Sequence, residues 1–225
     1  MRKRWWVVIG WIVAAVVAGG AVLLIGKNSG MWGKPEERRI VVLDAGHGGR
    51  DPGAIYDGVY EADVNLAVLH RVIAVMEADD CLDVQATRTL DITVSLEDRI
   101  ETANEAGAAL YLSIQSNASD YLSATGVETL VSDQVASDAP AWQFAEILQD
   151  AVVTATAARD RGVRDQDLYL HRAIMPAALI EIGFLSNDAE RAKLLDADYQ
   201  QLIAEAIYQG ILTYLDYADP SFSCE

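Results

Sequence analysis

The hydrophobic pattern divides the chain near residue 26. From Trp5 to Ile25 there is no charge, and Arg2, Lys3 and Arg4 stand immediately before that run. A helix of that length spans ~32 Å, about one bilayer core, so residues 5–25 are expected to form a transmembrane anchor. A cleavable signal peptide is the alternative, but its apolar region is normally ~7–15 residues and ends in small residues. This run instead ends in Leu23, Leu24 and Ile25. The positive-inside rule then keeps residues 1–4 in the cytoplasm and exports everything beyond Lys27, which puts the protein at the cell membrane as a single-pass species. Residues 26–39, GKNSGMWGKPEERR, are polar, with Gly, Pro and mixed charge, and read as a linker.

From Ile40 onward, apolar runs of strand length alternate with stretches of helical period. The order is IVVLDA, EADVNLAVLHRVIAVMEA, DVQATR, SLEDRIETANEAGA, ALYLSIQS, VETLVS, APAWQFAEILQDAVVTATAA, LYLHR, AALIEIGF, and a last helix from about residue 198 to 216. Such alternation predicts one α/β domain over residues 40–217: a mostly parallel, twisted sheet of about six strands flanked by helices, with residues 218–225 left as a frayed tail. VVLDA and AALIEI are nearly continuous in apolar residues, as expected for strands covered on both faces. Ligands of such sheets bind outside the carboxyl ends of the strands. His47 follows the first strand, Gln115 ends another, and Glu181 lies inside the last.

Charge narrows the partners. The chain carries 34 acidic and 17 basic residues; three of the basic ones precede the apolar run and no acidic one does, so the exported part has 14 against 34, a net −20. Nucleic acid is excluded as a partner on that balance, and long-range attraction to any polyanion is excluded with it. The two cysteines, Cys81 and Cys224, imply no disulfide framework, and without a C-x-x-C spacing no thiolate metal site.

Three segments carry candidate chemistry. In AGHGGRDPGA, glycines and a proline shape an irregular loop around His47, which suits either a projecting ligand or a residue that caps backbone groups. Glu61 opens the first helix of the domain, where a carboxylate complements the helix dipole or ligates a metal. Glu181 sits in an apolar strand, a placement that is costly unless the carboxylate is paired, metal-linked or neutralised; Arg88 and Arg99 are the candidate partners for a purely structural role. His70 falls at the edge of an apolar helix face and reads as a surface residue, and His171 as an ordinary strand residue or a spare imidazole.

VVLDAGHGGRDPGA at 41–54, Glu61 with Asn65 and Leu66, the stretch TRTLDITVSLEDRIETANEAGAALYLSIQSNA, GVETLVS and ALIEIGFLSN resemble, in that order, the zinc-dependent N-acetylmuramoyl-L-alanine amidases of the family called amidase 3. That family cuts bacterial peptidoglycan between the muramoyl lactyl group and the stem peptide. The resemblance covers residues 40 to about 215 and lacks the family's helical regulatory insertion, since residues 131–168 hold a single helix. It implies Zn2+ held by His47, Glu61 and a third ligand, with Glu181 as the catalytic acid and base; Asn117 and Glu128 match family positions that either orient ligands or substrate or serve structurally at strand ends. It implies peptidoglycan as partner and leaves an activating protein open. At the third ligand's position the family has His, and this chain has Gln115. A neutral amide is a poor substitute for imidazole, so two expectations stand: an amidase with weakly bound zinc, or a catalytically impaired module that binds peptidoglycan or acts as a scaffold.

Overall fold

The computed structural model describes residues 38–78 and 80–224. The expected anchor at 5–25, the basic end at 1–4 and nearly all of the linker lie outside these residues. None of the described helices is long and apolar enough to cross a membrane. In chain order the elements are β1 (Arg39–Ala45), a short hairpin of β2 (Ile55–Tyr56) and β3 (Val59–Tyr60), α1 (Glu61–Met76), β4 (Leu82–Ala86), α2 (Leu96–Ala106), β5 (Leu110–Asn117), β6 (Val127–Ser132), α3 (Pro140–Thr156), β7 (Asp160–Gln166), a 3-10 turn (Tyr169–Arg172), β8 (Ala177–Phe184), α4 (Asp188–Leu194) and α5 (Ala197–Ala218). Six strands form one sheet in the order β4-β1-β5-β8-β6-β7. The first four of these run parallel, β6 pairs antiparallel with β8, and β7 parallel with β6.

Strand alternation sends side chains to two unequal layers. Val41, Leu43 and Ala45 of β1 join the larger core beneath α1, α3 and α5, with Val68, Phe144 and Ile207 among its buried members. Val42 and Tyr111 face the other way, onto Ile100 and Ala103 of α2 and Leu170 of the 3-10 turn. Among the described residues one helix and one turn cover this second face, and the cleft described below opens there. Local chemistry fixes the ends of the covering helix. Ser95 Oγ accepts from Asp98 N at 3.0 Å, Glu97 and Asp98 occupy the first turn, and Gly107 ends α2 in the left-handed region at φ 64°.

Three sequence expectations are corrected. LYLHR is not a strand: its last four residues form the 3-10 turn, and the edge strand is DRGVRDQ, whose largely solvated residues carry no apolar signal. The C-terminal tail is not frayed, because Asp219 pairs with Arg39 and Phe222 packs against the larger core. Cys224 is disulfide-bonded to Cys81 at the start of β4, with Cα atoms 5.5 Å apart across a sequence separation of 143.

Candidate active site

Past Ala45 the chain leaves the sheet in the glycine-rich loop, still anchored by Gly46 N donating to Ile114 O at 3.0 Å. His47 adopts a left-handed backbone, φ 63°, which is uncommon for a residue with a Cβ and needs outside support. Two buried guanidinium groups give it. Arg99 donates to Ala45 O and His47 O at 2.8 Å each, while Arg88 donates to Ala45 O at 2.8 Å, Gly46 O at 3.0 Å and Ala62 O at 2.9 Å. Arg99 is also ion-paired with buried Asp44, which accepts from Ser113 Oγ at 2.7 Å. The fixed forks of the two arginines satisfy carbonyls that a buried loop would otherwise leave unpaired.

The imidazole lies between two carboxylates. Nε2 is 3.2 Å from Glu61 Oε1 and Nδ1 is 2.8 Å from Asp51 Oδ2. The hydrogen bond to Glu61, working against burial and helped by the charges of Glu61 and Asp51, raises the His47 pKa to about 9. Burial alone would push Glu61 up, but hydrogen bonds from His47, Ala54 N and Ser116 N hold it below its usual value. Asn65 Nδ2 approaches both Glu61 Oε1 and Gly46 O at 3.3 Å, and Ser116 Oγ donates to Asn65 Oδ1 at 2.9 Å. Gly53 closes the arrangement: at φ 66°, a Cβ there would lie 2.6 Å from Glu61 Oε2 and 2.8 Å from His47 Cδ2, so only glycine fits.

On the neighbouring strands Gln115 pairs in register with Glu181, and Glu181 with Glu128, setting the three in one row across β5, β8 and β6. Glu128 is satisfied, accepting from Asn117 Nδ2 at 2.6 Å and Arg161 Nε at 2.9 Å. Glu181 is not. Its Oε2 is shielded from solvent with no hydrogen-bond partner among the described residues. Burial, followed by the negative charges of Glu61 and Glu128 and opposed by His47, raises its pKa to about 8. Arg88 and Arg99 are engaged elsewhere, so the structure gives Glu181 no structural ion pair with either of them. Gln115 leans on the loop, where a Cβ at Gly46 would meet its Cγ at 2.6 Å, and its Nε2 donates to Ser113 Oγ at 3.4 Å. A cavity of about 470 Å³ opens beside these groups, lined by Asp44, His47, Gln115 and Glu181 and walled by Leu96, Ile100, Leu130, Leu170 and Leu179.

These residues fit a divalent metal in part. The His47–Glu61 pair favours positive charge, and a cation at Nε2 has only to displace the proton that the two carboxylates now stabilise. Catalytic zinc normally takes three protein ligands. The position expected to supply the third carries only the amide of Gln115, and among the described residues no group of three or more His, Cys, Asp or Glu side chains is poised to hold a metal. His171 does not make up the deficit: it sits in the 3-10 turn with Nδ1 3.0 Å from Leu168 O. His70 is exposed, with Nε2 3.0 Å from Thr89 O. Sequence reasoning missed Asp51, although a carboxylate four residues after His47 in GHGGRD was a visible signal, and it weighed Arg88 and Arg99 only as partners for Glu181.

Comparison with known proteins gives a consistent result. The family profile described as N-acetylmuramoyl-L-alanine amidase matches residues 41–213. The Bacillus subtilis protein YqiI is 37% identical over 184 residues, 81% of this chain and 88% of that protein. N-acetylmuramoyl-L-alanine amidase LytC from the same organism is 33% identical over 200 residues, 88% of this chain but 40% of LytC. The crystal structure of an N-acetylmuramoyl-L-alanine amidase from Clostridium difficile 630 superposes with a TM-score of 0.76 at 36% identity, covering 80% of this chain and 97% of that one.

Proposed function

Since the chain belongs to the N-acetylmuramoyl-L-alanine amidase family, we propose that it hydrolyses the amide between N-acetylmuramic acid and L-alanine in peptidoglycan, with a divalent metal, zinc by preference, held by His47 and Glu61 and weakly by Gln115. The observation that carries this reading is Glu181. A shielded, unpartnered carboxyl with a pKa near 8, facing a cavity beside a histidine–carboxylate pair, is poised to exchange protons near neutral pH.

A metal at His47 and Glu61 would supply Lewis acidity to the scissile carbonyl and lower the pKa of water. The chain's own residues do the rest. Glu181 takes the proton of the attacking water and delivers one to the departing L-alanine nitrogen, so that an amine leaves rather than an amide anion. Asp51 holds the His47 ring by its Nδ1, and Asn65 and Ser116 hold the Glu61 carboxylate. Leu96, Ile100, Leu130, Leu170 and Leu179 give the cleft an apolar wall beside the reacting end. The Cys81–Cys224 bond suits an oxidising compartment, which supports an extracytoplasmic catalytic domain tethered by the apolar run at 5–25.

Gln115 favours a second reading, a module that binds peptidoglycan without cutting it. One experiment separates the two. Defined muropeptides are incubated with the full-length protein, with zinc or with a chelator, and analysed by mass. Chelator-sensitive release of free stem peptide supports the amidase; binding without release at saturating zinc supports the module.

A further inference from the structure

The cleft face of the sheet does not stop at Glu128. Leu130 pairs with Arg164 on β7, and Ser132 with Gln166. Residues 128, 130 and 132 share the cleft face of β6, so Arg164 and Gln166 share that face on β7, and Gln166 does line the cavity. Two arginines approach one carboxylate here. Arg161 Nε takes Glu128 Oε2 at 2.9 Å, Asn117 takes the other oxygen, and Arg164 Nη1 is left 3.8 Å from Oε2, beyond hydrogen-bond range. The Arg164 side chain is 55% exposed and donates no hydrogen bond among the described residues. Asp165, the next residue, alternates to the opposite face. A domain of strongly negative net charge thus presents, on the cleft face two strands from Glu181, an exposed guanidinium held to Glu128 only at ion-pair distance.

We propose that Arg164 binds the carboxylate of the peptide residue next after the L-alanine of the substrate, and so sets a preference for stem peptides in which that carboxylate is free. The assignment rests on the amidase reading above. In such a substrate the N-acetylated sugars are neutral and the anionic charge lies on the peptide, so a cation at the edge of the cleft suits the peptide side. The spacing agrees. Two extended residues reach ~7 Å from the scissile nitrogen. Neighbouring strands lie ~4.8 Å apart, and the Arg164 guanidinium is drawn back from β7 toward Glu128, one strand from Glu181, which puts it ~5–10 Å from the reacting end. A planar fork also matches a carboxylate in a way that it cannot match the neutral amide that would replace it.

The test uses the full-length protein and two N-acetylmuramoyl tripeptides that differ only in whether the second residue's α-carboxyl is free or amidated. Cleavage and equilibrium binding are both measured. The wild-type protein is expected to prefer the free acid about five- to tenfold in kcat/KM, carried mainly by KM, with the preference shrinking as salt rises. Arg164→Gln, whose melting temperature should match wild type because the side chain is solvated, is expected to bring the ratio within about twofold, and Arg164→Lys to retain part of it. Equal cleavage and equal binding of the two peptides by wild type, or a preference that survives in Arg164→Gln, overturns the proposal while leaving the amidase reading in place. Cleavage of neither peptide, with an Arg164-dependent binding preference intact, removes the amidase reading and keeps this one. Binding of neither overturns it.

Discussion

The two halves of the site are built differently. On the β1–α1 side, His47 and Glu61 are over-determined: both ring nitrogens are engaged, Glu61 accepts from two backbone N–H groups and from Asn65, and the loop carbonyls are held by two buried arginines. On the β5–β8 side, Gln115 makes one long hydrogen bond and Glu181 leaves an oxygen unpaired. Rigid ligands and an unsatisfied acid–base group are what metal-assisted hydrolysis needs, since ligands are best preorganised and the proton carrier must keep both protonation states accessible. Gln115 is the departure. It lies on the side where geometry is least constrained, so under the proposed reading an amide in place of an imidazole would alter the chemistry and leave the fold unchanged.

The strongest way to break this contrast is to neutralise Glu181. Glu181→Gln is expected to lower amide cleavage about 10²–10⁴-fold, the range associated with a lost general acid and base, while leaving metal binding within a few-fold of wild type. Retention of more than a tenth of the activity would remove Glu181 from the proton transfers.

The braced half should fail through stability instead. Arg99→Met leaves Asp44 buried without its partner, and loss of about 3–5 kcal/mol of unfolding free energy is expected from denaturant titration. Combining Asp44→Asn with Arg99→Met should recover at least half of that, because no uncompensated charge remains. If the double variant is no more stable than the single one, the loop carbonyls rather than the ion pair carry the effect.

The contrast also tracks what the sequence made legible. β1, β5 and β8 announce themselves because burial on both faces demands long apolar runs; His47 stands out just past the end of one and Glu181 in the midst of another, while Glu61 is marked by its place at the head of the first helix. β7 is hidden because a solvated edge strand takes its order from the ladder to β6, not from its own side chains. The same solvation conceals Arg164, which is one charged residue among many until the register shows which face it shares. Cys81 and Cys224 are 143 residues apart, and spacing alone says nothing of the 5.5 Å that separates their Cα atoms. Roles such as those of Arg88 and Arg99 need three-dimensional contacts, since an arginine that holds carbonyls looks in sequence like any other.

Gln115→His would sharpen the comparison by giving the loose half the ligand type that the other half already has. Zinc affinity, measured by competition with a chromogenic chelator, is expected to rise about 10–100-fold, and cleavage at limiting zinc with it. An unchanged affinity would mean that position 115 does not face the metal held by His47 and Glu61.

The smallest expected effect concerns stability and pH in the metal-free protein. Glu181 has its pKa raised from 4.5 to about 8 in the folded state, so the fold binds a proton there that the unfolded chain releases. Its contribution is fully present below pH 4.5 and is lost as pH rises through 8. Glu181→Gln removes that titration. Relative to wild type the variant should therefore gain stability progressively across this window, by on the order of 1–3 kcal/mol at its upper end, in chelator-containing denaturant titrations. The same substitution that abolishes cleavage would then strengthen the fold, the signature of a carboxyl kept in an unfavourable place for its chemistry rather than its structure. Stability curves that run parallel for the two proteins from pH 4.5 to pH 8 would mean that Glu181 is better solvated than its unpartnered oxygen implies, and the case for its role as proton carrier would weaken accordingly.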